Sequence, residues 1–178
     1  MDYNGNKTSF GGNAMQVTIR LMTDSDAPLI TAMNLGTDAD FLYQWAGASY
    51  QYPLSIGQVI AKIHDPNCKP FLILYDGKPA GTLSIDHVDE TLRECAICRF
   101  LVDRHYRGLG IGAQSLRQAV RYAFNRLGME TVRLWVFDFN KGAIRCYQKA
   151  GFLEKGWVLR DNGWKALRME CTRESFCK

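Results

Sequence analysis

The sequence predicts an α/β fold of the mixed (α+β) kind, a central mixed β-sheet flanked by helices, and three observations carry that expectation. Size and balance come first: 178 residues, 47% hydrophobic and 22% charged, suit one domain around one buried core. The second is a change of period, from short strand-like runs before Val102 to a three-and-four-residue apolar stripe after Gly112. The third is a pair of turn signals, Asp76-Gly77-Lys78 and Asp161-Asn162-Gly163, each set between strand-like runs.

Taken in order, residues 1–14 are polar and glycine-rich and read as a flexible tail ahead of a single domain at 15–178. Val17–Met22 alternates apolar and polar residues as a first strand. Thr23-Asp-Ser-Asp26 resembles a capping box and opens a helix to about Leu35. Asp40–Ala48 and Ser55–Ile63 read as two further short helices, the second capped by Ser55. Phe71–Tyr75 and Pro79–Val88 form a hairpin, and another strand runs from about Arg93 to Val102. Leu116, Ala119, Val120, Ala123, Phe124 and Leu127 make one stripe of a long helix stopped by Gly128. Thr131–Phe137 is a buried strand, Lys141–Ala150 a short helix closed by Gly151, and Phe152–Arg160 with Gly163–Glu170 a final hairpin.

Composition excludes a disordered or collagen-like chain, and no apolar run approaches the roughly 18 residues that span a bilayer. With no secretory signal, a cytoplasmic location and reduced thiols are expected. Cys95 and Cys98 lie three apart in a strand-like stretch, face opposite sides, and have no second pair or histidine at zinc spacing. They read as structural cysteines, and no metal is expected. The formal charge of +4 is unevenly spread: −5 over residues 1–98, +7 over 99–149 and +2 over 150–178. The basic middle lacks the interleaved aromatics of a nucleic-acid platform and suits a compact polyphosphate.

Chemistry concentrates in Arg107-Gly-Leu-Gly-Ile-Gly112. Three alternate glycines free the backbone to bend toward a ligand, and the helix that follows points unpaired N–H groups and its positive end at the loop. Arg104 and Arg107 add charge at the rim. Gly108-Leu-Gly110-Ile-Gly-Ala113 also fits a Gly-x-Gly-x-x-Gly/Ala dinucleotide fingerprint, but a polar segment separates it from the strand and only one βαβ unit follows. No Gly-Lys-Ser/Thr closes a Walker A loop.

Phe100-Leu-Val-Asp-Arg-His-Tyr-Arg-Gly-Leu-Gly-Ile-Gly112 resembles the acetyl-CoA signature of the GCN5-related N-acetyltransferases (GNAT), Arg/Gln-x-x-Gly-x-Gly/Ala after an apolar strand. Asn140-Lys-Gly-Ala143-Ile-Arg-Cys-Tyr147-Gln-Lys-Ala-Gly151-Phe152 is similar to that family's Asn-x-x-Ala-x-x-x-Tyr-x-x-x-Gly-Phe. The resemblance implies the GNAT acyl-CoA N-acyltransferase fold, with the strand ending at Val102 splayed from Thr131–Phe137 and pantetheine in the gap. Backbone groups of Phe100, Leu101 and Val102 would pair with that arm, and those of Arg107, Gly108, Leu109, Gly110, Ile111 and Gly112 would cradle the pyrophosphate. Asn140 and Ala143 would sit beside the cofactor, and Tyr147 would protonate the departing thiolate. Glu94 lies where some members carry an acidic base, with Asp86 and His87 as alternatives through water; His105 reads as solvated.

The implied function is an N-acetyltransferase that moves acetyl from acetyl-CoA to a primary amine by direct attack in a ternary complex. No Cys–His–Asp arrangement stands out to favour an acyl-enzyme. A non-catalytic acyl-CoA sensor on the same fold and a dinucleotide oxidoreductase stay open as alternatives. The acceptor would be a small-molecule or peptide amine. A cation is favoured, met by the acidic half at Asp38, Asp40, Asp86, Asp89, Glu90 or Glu94. No nucleic acid or membrane partner is expected, and oligomeric state, a homodimer included, is left open.

Overall fold

A computed structural model describes residues 16–176; the tail expected at 1–14 and Cys177 lie outside them. Seven strands form one sheet in the order β1-β2-β3-β4-β5-β7-β6. They are β1 Val17–Leu21, β2 Cys68–Tyr75, β3 Lys78–Asp89, β4 Glu94–Val102, β5 Thr131–Phe137, β6 Leu153–Leu159 and β7 Lys165–Thr172. Every neighbouring pair is antiparallel except β4–β5. Helices α1 Ala27–Met33, α2 Ala39–Ala46 and α3 Ile56–Ile63 precede β2; α4 Ile111–Arg126, α5 Lys141–Ala150 and the short α6 Arg173–Phe176 follow β4.

Alternation along the strands builds a core on each face of the sheet. Phe71, Ile73, Leu83, Ile85, Val132 and Leu134 meet the α4 stripe of Leu116, Ala119, Val120, Ala123 and Phe124 on one face. Leu72 turns the other way and packs with Met22, Ala27, Ile30 and Val59 under α1 and α3. Among the described residues no helix is long and apolar enough to cross a membrane.

Most expected elements are present, and α5 and β5 keep their expected bounds. The helix expected from Thr23 to Leu35 is instead a 3₁₀ turn at Asp24–Asp26 and then α1. Asp26 is the reason: its carboxylate accepts from the Thr23 N–H at 2.8 Å and takes both Arg20 guanidinium nitrogens at 2.7 and 2.8 Å, which tightens the first turn. The second helix ends at Ala46, two residues early, because Gly47 takes φ 58° and starts a 3₁₀ turn at Gly47–Ser49. That turn forms one wall of the site described below. The four-residue α6 was not expected.

Asp26 is buried, and hydrogen bonds from Arg20 hold its carboxyl at about 2, below the usual carboxylate range. Its stabilising contribution is complete above pH 4 and is lost as pH falls toward 2. Asp26→Asn is expected to lower Tm at pH 7, and the gap to the wild type should close between pH 4 and pH 2 in parallel thermal melts. A gap that does not change with pH would show that the ion pair contributes nothing.

Candidate active site

The parallel pair β4–β5 holds for only three residue pairs, Glu94–Ala96 against Thr131–Arg133. Beyond it β4 continues to Val102 and β5 to Phe137 without pairing, and the sheet opens into a cleft of about 900 Å³. Phe100, Leu101 and Val102 line one wall and Leu134 to Phe137 the other.

On β4 the wall is shaped by a bulge. Ser84 faces Cys98 but Thr82 faces Leu101, so β4 carries one extra residue around Arg99, which takes φ 47°. A non-glycine residue in that region costs roughly 1–3 kcal/mol and needs support from its surroundings. The support is a buried guanidinium that bonds Ser49 Oγ at 2.9 Å, Cys68 Sγ at 3.0 Å and the Asp86 carboxylate.

Past Val102 the Asp103 N–H closes the strand on Ala80 O at 2.9 Å. Gly108 and Gly110 then take φ 82° and 76°, and Gly110 N-caps α4. No acceptor among the described residues takes the N–H groups of Gly108 to Ala113, so they face outward at the positive end of a sixteen-residue helix. Leu109 is exposed, whereas the Ile111 side chain is 1% exposed in the core and only its backbone is free for a ligand. Arg107, Arg145 and Lys149 line this end; Arg107 is steadied by Val102 O at 3.2 Å and lies over Phe41. Arg104 is exposed and does not line the cleft.

Gly112 has a packing reason to be glycine. A Cβ there would lie 2.7 Å from Cys146 Sγ and 3.2 Å from the Phe100 ring, so its absence lets α4 pack closely on α5. On α5, Asn140 Oδ1 caps the helix by accepting from Ala143 N–H at 3.1 Å, and both residues line the cleft. Tyr147 is buried against Phe100 and Phe152, with ring centroids at 5.7 and 6.1 Å, and also lines it. Burial pushes its phenol well above the ordinary range, so the group keeps its proton.

The other end is aromatic. Tyr43 stacks on Phe137 at 5.7 Å, Trp164 backs Phe137 at 4.9 Å without lining the cleft, and the Gly47–Ser49 turn and His87 complete the wall. No Asp or Glu lines the cleft among the described residues. The acids expected near the acceptor are occupied elsewhere: Asp38 caps α2, Asp89 caps the turn to Leu92, and Asp86 holds Arg99.

Two expectations need correction. Glu94 is not brought to the cleft: it sits at the paired start of β4, its Oε1 3.3 Å from Arg133 Nη1, and the strands separate only after Ala96. Conversely, a Cys–His–Asp grouping does exist, because ligand atoms of Asp86, His87 and Cys98 all lie within 4.8 Å of one another. Burial pushes the Cys98 thiol up to about 12, so it is not a thiolate. Cys95 is buried in the core, as a structural cysteine should be, and exposed His105 bonds Asp103 at 2.7 Å. Sequence reading missed Arg99 and the Gly47–Ser49 turn; Gly47, two residues after Trp45, was the available signal for the turn.

The model of the acetyltransferase (GNAT) family matches residues 39–152. An uncharacterized N-acetyltransferase of Methanocaldococcus jannaschii is 39% identical over 98 residues, which are 49% of this chain and 42% of that protein. The chain therefore spans less than half the length of that relative. The type 1 aminoglycoside N(6')-acetyltransferase of Klebsiella pneumoniae is 24% identical over 176 residues, 90% of this chain and 85% of that one. Spermidine N-acetyltransferase of Vibrio cholerae, solved with CoA and spermine, superposes with a TM-score of 0.77 at 18% identity, covering 92% of this chain and 99% of that one.

Gly112→Ala is expected to destabilise the fold by about 1–3 kcal/mol, the usual cost of overpacking. Cys146→Ala in the same chain should recover part of the loss in denaturant titrations, since the sulfur is what the new methyl meets. No recovery would place the strain at Phe100 instead.

Proposed function

The chain belongs to the acetyltransferase (GNAT) family, and from that membership we propose that it transfers an acetyl group from acetyl-CoA to a primary amine by direct attack in a ternary complex. One observation carries the reading: the cleft left where β5 parts from β4 ends on a run of unpartnered N–H groups at the head of α4. A pantetheine arm is a strand-like chain with amides, suited to the free edge of Phe100, Leu101 and Val102. A pyrophosphate is suited to the N–H groups of Gly108 to Gly112, with Arg107, Arg145 and Lys149 offsetting its charge. Asn140 has spent its oxygen on the helix cap, which leaves its amide N–H₂ to the cofactor.

Tyr147 is the proposed acid. A phenol kept protonated by burial, beside the wall where the thioester would lie, can give its proton to the thiolate as the C–S bond breaks. Direct attack is favoured over an acetyl-cysteine because burial keeps the Cys98 thiol neutral. A cationic amine is the favoured acceptor class, on the strength of the similar proteins named for spermidine and aminoglycosides. With no carboxylate lining the cleft, the faces of Tyr43 and Phe137 would hold such a cation.

Acetyl-CoA should raise Tm, and Gly110→Val should weaken its binding at least roughly tenfold by calorimetry, because valine resists φ 76° and crowds the phosphate. Unchanged affinity in a folded Gly110→Val would overturn the site. Tyr147→Phe should leave acetyl-CoA affinity intact while kcat, measured by thiol release over a panel of amines, falls by roughly 10²–10⁴-fold. A kcat within a few-fold of wild type would reduce Tyr147 to a packing residue.

A further inference from the structure

Resting on the acetyl-transfer reading, we infer that His87 takes the proton from the acceptor ammonium, with Asp86 and Arg99 as the positioning residues that set it. Among the described residues lining the cleft there is no carboxylate, and His87 is the one histidine. Histidine is the side-chain type that exchanges a proton near neutral pH.

The backbone shows why His87 reaches this place. Neighbours on a regular strand point to opposite faces, so Asp86 and His87 should diverge. Between Asp86 and Asp89 β3 carries one residue more than β4, and His87 takes φ 52°. Such a bulge re-aims a side chain. The result is the grouping of Asp86, His87 and Cys98 within 4.8 Å.

Asp86 is equipped to orient the ring. One carboxylate oxygen is held by the buried Arg99 guanidinium, while Oδ1 is buried and has no hydrogen-bond partner among the described residues. That oxygen is the natural acceptor for one imidazole N–H, which leaves the other nitrogen with its lone pair toward the amine. Arg99 also bonds Ser49, so one guanidinium ties the His87 orienter to the Gly47–Ser49 turn. The charged and titratable groups packed around this cluster are Cys68 on β2, Asp86 on β3, Cys98 and Arg99 on β4, Tyr50 after the Gly47–Ser49 turn, and Arg133 on β5 with its partner Glu94.

The transfer then balances. His87 removes one proton from the ammonium; the freed lone pair forms the C–N bond to the acetyl carbon and the C–S bond breaks. Tyr147 protonates the thiolate and is restored by the second proton leaving the nitrogen. The imidazolium, exposed on its outer side, returns its proton to solvent.

Long-range ¹H–¹⁵N spectra test the pairing without any acceptor, with His87→Gln assigning the signal. A single His87 tautomer in the wild type, which becomes a mixture in Asp86→Asn, is expected. The same tautomer mixture in both proteins would overturn the pairing. Kinetics use acetyl-CoA with spermine, kanamycin and benzylamine. His87→Gln should cut kcat/KM by roughly 10²-fold at pH 7 and less at pH 9, with acetyl-CoA affinity unchanged and partial rescue by added imidazole. A pH profile parallel to wild type without rescue would overturn His87 as proton acceptor. If the wild type acetylates none of the three amines, the transfer reading fails, while the spectra still decide whether Asp86 orients His87.

Discussion

The arrangement depends on a parallel strand pair that ends early. Backbone N–H and C=O groups must find partners, and β4 pairs with β3 from Glu94 to Val102, interrupted only at the two bulges. On the β5 side it does so only to Ala96. From there to Val102 one edge of a central strand is free inside the molecule, a position from which ordinary sheets exclude ligands. The helix head at Gly110, the α5 wall with Tyr147 and the turn at Gly47–Ser49 are all set around that free edge.

Arg99 keeps the opening in shape. It combines an unfavourable backbone conformation with a buried charge, and each of those costs is offset by the same three partners, Asp86, Cys68 and Ser49. Breaking a buried ion pair from one side is strongly destabilising, because the remaining charge has no water to return to. The pair therefore locks three segments far apart in sequence: the second bulge at His87, the strand β2 and the wall that ends α2.

Much of this was legible in the residues, and the remainder was hidden for definite physical reasons. The stripe from Leu116 to Phe124 and the Asn140 and Gly151 caps of α5 announce those helices through periodicity and local chemistry. The glycines at 108 and 110 announce a loop because their positive φ has a residue-type signature. Arg99 and His87 adopt positive φ with no such signature, held there by tertiary contacts, so neither bulge could be read. Without the bulges, alternation separates Asp86 from His87, and their meeting with Cys98 stays invisible. Glu94 was misplaced for a related reason: the residue at which two strands part is decided by packing on both faces, not by the strand's own sequence.

Hydrogen–deuterium exchange with and without acetyl-CoA tests the central claim, that the free edge of β4 and the bare helix head form one binding surface. Protection is expected at the amides of Gly108 to Ala113 and at those of Phe100 to Val102 together, with β1 and β2 unchanged. Saturation with acetyl-CoA that protects neither segment, or only residues away from the β4–β5 opening, would contradict the account.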